Sequence, residues 1–167
     1  MKIAFVKAVL IRSRVVQSDA RKLGLVKTAD LQLSALDTVV TDPGLRRATE
    51  SLFSGGHFTR AVEEGVKYLQ HVVRERSKLT TDGSDLMRTA FSANNPLLSL
   101  SGLTTQSEKD EQRGYMDIMA GCVMAIRNPR AHSVGSFDDE TSALEMLAIM
   151  NHLIGVARKA KVTRRRK

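Results

Sequence analysis

The sequence of 167 residues has one cysteine, no tryptophan, three prolines and only 4% aromatic residues. A single thiol, Cys122, excludes an internal disulfide framework and fits a reducing compartment. Its neighbours Gly121, Val123 and Met124 offer neither a second thiol nor a histidine, so it reads as a small buried apolar residue. No stretch approaches the ~20 consecutive apolar residues of a membrane span. The opening MKIAFVKAVLIRSR is interrupted by Lys7 and Arg12 and lacks a small-residue cleavage site, so it is a poor secretory signal. The expectation is a cytoplasmic protein with no membrane attachment. Few aromatics and few prolines favour helix over sheet. Acid is also in short supply: 26 Lys and Arg against 18 Asp and Glu leave a formal charge of +8. That balance makes a polyanion the first partner to consider, because Lys and Arg gain affinity by releasing counterions condensed on phosphates.

What is there is helical punctuation. DPGLRRATESLFSGG offers Asp42 as N-cap, Pro43 at the first helical position and Gly55-Gly56 as a stop. HFTRAVEEGVKYLQHVVRERS then places Val62, Val66, Leu69 and Val73 on one helical face, and the two segments read as an αα-hairpin. A turn at Asp82-Gly83 leads into a short helix with Leu86, Met87 and Phe91 apolar. SANNPLLSLSGLTTQS reads as a long loop with at most a turn of helix around Pro96 to Leu100. Helix resumes near Ser107 with an expected stripe of Tyr115, Ile118, Met119, Cys122, Val123 and Ile126, and Asp117 is placed to pair with Arg113 at a spacing of four. The last helix follows SFDD, where Ser136 and Asp139 have capping-box spacing, and its stripe is Ala143, Leu147, Met150, Ile154 and Ala157. The expected fold is all-α, a helical bundle over residues 42–162. It is preceded by a basic, partly helical segment at residues 1–41, including a helix from Thr28 to Val40, and followed by a basic tail at 163–167. KAKVTRRRK reads as a frayed, solvated terminus.

The chemistry concentrates in IRNPRAH, Ile126 to His132. Pro129 lacks an N–H and disfavours α conformation at Asn128, so the long helix is expected to end at Arg127 or Asn128. Asn128-Pro129 is also an N-cap followed by a favoured first helical residue. Arg127 then lies in the last turn of one helix and His132 five positions on, both able to face one cleft. Cleaving RNA without a metal needs a group near neutral pKa to take the 2′-hydroxyl proton or protonate the leaving oxygen, and histidine is that side chain. It also needs a fixed positive fork on the phosphate, which arginine supplies bidentately. Asn128 can orient the histidine or donate to a phosphate oxygen, and Arg130 can hold the flanking backbone. Glu64, with Glu63, stands on a helix expected to pack near the motif and is a candidate auxiliary carboxylate. His71 and His152 lack partners at metal spacing and receive no role. No metal-ligand or Ser-His-Asp constellation rises above chance, so no metal and no cofactor is expected.

Arg followed by a polar residue and then His, at the break between two apolar helices, resembles the R-x4–6-H motif of the HEPN superfamily. LFSGGHFTRAVEEGVKYLQ, AFSANNPLLSL and DEQRGYMDIMAGCVMAIRNPRAH, with the closing helix, resemble the Ymh-type family of HEPN-like bacterial and mobile-element proteins, over about Asp42 to Ala160. The resemblance implies a HEPN-like helical bundle and a metal-independent endoribonuclease in phage defence, abortive infection or toxin action. On that likeness Arg127 and His132 are the catalytic pair, with Asn128 and Arg130 binding substrate. His57, which recurs in the family pattern, is an auxiliary residue. The resemblance further implies a homodimer with two motifs lining one cleft, an RNA substrate cut to a 2′,3′-cyclic phosphate and a 5′-hydroxyl, and a cognate antitoxin or defence-system partner. Two other readings stand beside it. One is a non-catalytic nucleotide- or RNA-binding module of the same superfamily. The other is a basic nucleic-acid-associated protein acting through its terminal charges, with His132 packing the helix junction and Arg127 paired to Asp138 or Asp139.

Overall fold

The computed structural model describes residues 35–127 and 138–163, Arg127 through its backbone alone. Most of the basic N-terminal segment, the connection 128–137 and the tail from residue 164 lie outside the described residues. The fold is all-α, as expected.

Residues 35–39 are helical, and Leu36 and Val40 are buried in the same core as the helices that follow. Helix α1 spans Pro43–Ser54. Its N-cap, Asp42, accepts from the backbone N–H groups of Gly44 and Leu45 at 2.9 Å each, satisfying two donors that a helix start leaves open. The stop is the Gly55-Gly56 pair, where Gly56 takes a φ of 75° that a side chain would resist. Helix α2, Phe58–Ser77, follows, and the expected stripe of Val62, Val66, Leu69 and Val73 is fully buried. Helix α3, Gly83–Ala90, buries Leu86, Met87 and Ala90. Asp82 leaves this helix uncapped and accepts instead from Arg74 Nη2 at 2.7 Å.

Between α3 and the next helix the sequence reading needs correction. No helical turn forms around Pro96 to Leu100. Leu98–Ser99 is a short strand, β1, paired antiparallel with β2, Lys161–Val162. The backbone N–H of Thr163 donates to Leu97 O at 2.9 Å, its hydroxyl reaches Pro96 O, and Arg76 Nη2 donates to Ala160 O at 2.5 Å. The start of the terminus is therefore fastened, not frayed. Pro96 excludes helix at Asn95, and extended backbone at Leu98 gains partners that a lone helical turn lacks.

Helix α4, Gln106–Cys122, begins one residue before Ser107 because Thr105 closes a capping box with Glu108. Inside it Gln112 is fully buried and holds the loop: Nε2 donates to Phe91 O and Leu98 O at 3.0 Å, and Oε1 accepts from Leu100 N at 2.9 Å. The predicted stripe holds for Met119, Cys122 and Val123, with Tyr115 and Ile126 half-buried. Ile118 departs from it at 51% exposed. From Val123 to Arg127 the chain widens into a π-helical turn. Helix α5, Glu140–Lys159, buries the whole expected stripe, and its cap is Asp139, which accepts from Ser142 N at 2.7 Å.

The helices α2 and α5 run parallel. Thr59 touches Asp138, Gly65 faces Leu147 and Met150, Tyr68 meets Arg158 and Arg76 meets Ala160. Gly65 permits this approach, since a Cβ there would stand 2.6 Å from Met150 Sδ and 2.9 Å from Leu147 Cδ2. Helix α4 runs the other way: its first half is tied through Gln112 to β1, which pairs with the strand after α5, and Tyr115 meets His152 further along.

Candidate active site

These directions bring three helix ends together. The end of α4, carried through the π-turn to Arg127, lies at the same end of the bundle as the first turns of α2 and α5. The π-turn packs on α2 and α3. In sequence it stands two residues before Pro129, which has no N–H and whose ring would clash with the Ala125 carbonyl in a continued α-helix. Turns with i→i+5 bonds are rare in helices and recur at functional sites.

Across the bundle end, Thr59 Oγ1 accepts from the backbone N–H of Asp138 at 2.9 Å, a contact spanning 79 residues. It ties the first turn of α2 to the point where the chain returns from the motif. The Asp139 side chain then caps α5, and the bond from Ser142 N lowers its pKa below 3.8. Two 20-residue helices therefore turn their N-termini, the positive ends of their dipoles, toward the motif end.

Of the residues singled out from sequence, Asn128, Arg130 and His132 lie outside the described residues, and Arg127 is placed by its backbone at the close of the π-turn. His57 is exposed and immediately precedes α2, two residues from Thr59, so the fold puts it at the motif end; its side chain makes no cap hydrogen bond. Glu64 instead meets Lys67 Nζ at 2.6 Å, both side chains substantially exposed. Asp117 pairs with Arg88 of α3 at 3.1 Å rather than with Arg113, because α3 packs beside α4 and brings a second arginine within reach. His152 shares a 2.9 Å hydrogen bond with the Tyr115 hydroxyl, and His71 lies 3.7 Å from Glu75. Cys122 is buried, and burial raises its thiol pKa. Among the described residues no group of three His, Cys, Asp or Glu side chains could hold a metal ion, and no helix is long and apolar enough to cross a membrane. Sequence reasoning missed Thr59 and the π-turn. A single hydroxyl in a helical first turn gave no signal for the first, and the helical periodicity through Ile126 hid the second.

A family model described as "Protein of unknown function (Hypoth_ymh)" matches residues 40–156. The chain belongs to the Hypoth_ymh family. No curated protein and no solved structure matches it. The Hypoth_ymh match takes in all of α1 to α4, the π-turn, the motif and most of α5, and so contains every candidate site residue. The β2 strand that closes the other end falls beyond it.

The opposite end of the bundle carries a polar clasp. Asn151 Oδ1 accepts from the backbone N–H groups of Thr41 and Asp42 at 3.0 and 2.9 Å. Arg158 donates through Nε to Asp42 Oδ2 at 2.7 Å and through Nη2 to the Tyr68 hydroxyl at 2.8 Å. Burial alone would raise the Asp42 pKa, but donation from Leu45, the Arg158 guanidinium and donation from Gly44 outweigh it and hold the carboxyl below 3.8. A Cβ on Gly44 would fall 1.7 Å from the Tyr68 oxygen, so glycine is what admits the tyrosine. The acid and the guanidinium serve one another here, which marks the clasp as a structural fastening.

Proposed function

We propose that this protein is a metal-independent RNA endonuclease of the HEPN type, acting in phage defence, abortive infection or as a toxin. The observation that carries this reading is the convergence of the π-turn ending at Arg127 with the N-termini of α2 and α5. Helix N-termini favour a phosphate, and the chain's charge of +8 draws a polyanion toward it.

In this reading His132 accepts the proton of the 2′-hydroxyl as that oxygen attacks the adjacent phosphorus, or delivers a proton to the departing 5′-oxygen. The new bond is 2′-O–P and the broken one is P–O5′, leaving a 2′,3′-cyclic phosphate and a 5′-hydroxyl. Arg127 holds the phosphoryl oxygens as negative charge builds on them. Asn128 and Arg130 hold the flanking substrate, and His57 stands at the rim of the same end.

A homodimer fits the same reading, since one motif can accept a proton while the second donates. Its surface support is apolar exposure along the helices that enter and leave the motif: Ile118 and Met124 are each 51% exposed and Ile149 44%. A cognate antitoxin or defence-system partner completes the proposal.

The test is incubation of a labelled structured RNA in EDTA with the wild type and His132→Ala, followed by end-group analysis and by sedimentation of the protein alone. Cyclic-phosphate ends from the wild type only, with a dimer in solution, are expected. Equal cleavage by both proteins, or none by either across several RNAs, refutes the assignment.

A further inference from the structure

We infer that the open groove between α4 and α5 is the docking site of this chain's own residues 1–16, MKIAFVKAVLIRSRVV. The inference goes beyond the ribonuclease reading and does not depend on it. Helices α4 and α5 barely touch, and the 2.9 Å hydrogen bond between the Tyr115 hydroxyl and His152 Nε2 bridges the space between them. Because the two helices are antiparallel, that bond sets their register. Ile118 stands level with Ile149, Cys122 with Glu145 and Glu111 with Val156, at spacings of three and four that keep each set on one helical face. Tyr115 and Val156 are half-buried against the core, while Ile118 and Ile149 are left 51% and 44% exposed. Gly114 and Gly121 flank Ile118 in sequence, and a Cβ on either would meet nothing within 4 Å, so the described fold leaves the space beside Ile118 open.

The charged residues on these two stripes are Glu111 and Glu145, both exposed and without an ion-pair partner among the described residues. They mark opposite ends of the groove, about 16 Å apart along it at the helical rise. An apolar groove with an acid at each end fits an apolar segment with a base at each end. Residues 1–16 have that chemistry: Lys2 and Arg12 bracket IAFVKAVLI, and no acid occurs before Asp19. At helical rise the two cations stand about 15 Å apart, which matches the acids. The tether is sufficient, since residues 17–34 reach roughly 60 Å when extended, about twice the length of α5. Its far end is held on the same helix, where Thr41 N donates to Asn151 Oδ1 at 3.0 Å, so docking is intramolecular and gains from a high effective concentration. A second copy meeting this face groove to groove would bring acids and no base into the contact. A dimer on these helices therefore closes over the seated segment.

The test couples amines to carboxylates in the whole chain with a zero-length carbodiimide, in an equal mixture of unlabelled and heavy-nitrogen protein, and maps the linked peptides by mass spectrometry. Links from Lys2 or Lys7 to Glu111 or Glu145 are expected, each linked pair carrying a single isotope. Amide hydrogen exchange over residues 1–16 is read in parallel for the wild type and for the double variant Ile118→Asp, Ile149→Asp, whose positions are exposed. Exchange in the wild type is expected to be slower by roughly tenfold or more than in a synthetic peptide of the same sequence. The variant should lose that slowing while peptides over Val62 to Val73 keep theirs, which shows that the fold is intact. Links that pair the two isotopes overturn the inference in favour of a segment exchanged between copies. Absence of links with peptide-like exchange in the wild type also overturns it and leaves the groove to a bare second copy or another partner. Slowing that survives both substitutions overturns it too, by placing the segment elsewhere.

Discussion

Replacing Gln112 by leucine should unfasten the loop between α3 and α4. The side chain is fully buried and makes three hydrogen bonds, from Nε2 to Phe91 O and Leu98 O and to Oε1 from Leu100 N. Each such bond contributes about 0.5–1.5 kcal/mol net, and a buried backbone group left without a partner costs about 1–3 kcal/mol. Leucine fills similar space with apolar atoms but satisfies none of the three groups. The expected loss is about 2–4 kcal/mol. With a urea slope of about 2 kcal/mol per molar, the unfolding midpoint falls by roughly 1–2 M at constant slope. The assay is equilibrium urea unfolding followed by far-ultraviolet circular dichroism, with alanine as a second variant that should lose more because it also leaves a cavity. A midpoint within about 0.3 M of wild type would refute the reasoning, since it would mean that the three backbone groups find other partners at no cost.

Three further outcomes are expected. Asp42→Asn keeps a capping oxygen but loses the charge that Arg158 meets. Because the folded pKa of Asp42 lies below 3.8, its ionic contribution is fully present above that value and is lost as pH falls through the folded pKa. The stability gap between wild type and variant, about 1 kcal/mol at pH 7, should therefore narrow as pH falls below 3.8; a gap independent of pH in urea titrations would count against it. Truncation after Ala160 removes β2 and the Thr163 bonds to Leu97 and Pro96, and should lower the thermal midpoint by roughly 3–8 °C while speeding exchange at 96–99; an unchanged midpoint would mean that this pairing adds nothing. Arg127→Lys keeps the charge and loses the planar fork, so RNA cleavage should fall by roughly 10²-fold and remain insensitive to EDTA; full activity would remove Arg127 from the chemistry.

Much of the fold could be read from the sequence because its signals are local. Asp42-Pro43 and Gly55-Gly56 bound α1, and the valines of α2 and the stripe of α5 fall on their faces by helical periodicity alone. What escaped was set by distant partners. Leu98 is extended because Val162, 64 positions later, pairs with it, and no window around Pro96 contains that fact. Asp117 met Arg88 instead of Arg113 because packing of α3 on α4 outranks a helical spacing of four. The Thr105 box was written plainly as T-x-x-E, and the Ser107 start overlooked it. For the site, the widening into a π-turn from Val123 to Arg127 needed the backbone to be seen, and the break at Pro129 lies outside the described residues. Glu64 had a partner one turn away, Lys67, that a search for a cleft carboxylate did not weigh.

The polar clasp and the strand pair have a consequence for anything attached to this chain. Thr41 is pinned to Asn151, and Thr163 to Leu97, so the lead into α1 and the strand after α5 both lie toward the end remote from Arg127. Asn151 is twelve residues beyond Asp139, about 18 Å along α5, and Lys159 lies a further 12 Å on. A reporter, an affinity handle or a fused domain joined directly after Thr163 would hang like a keel, leaving the Arg127 end clear of it. Immobilised by such a handle, the molecule would present its Arg127 end outward, toward whatever flows past.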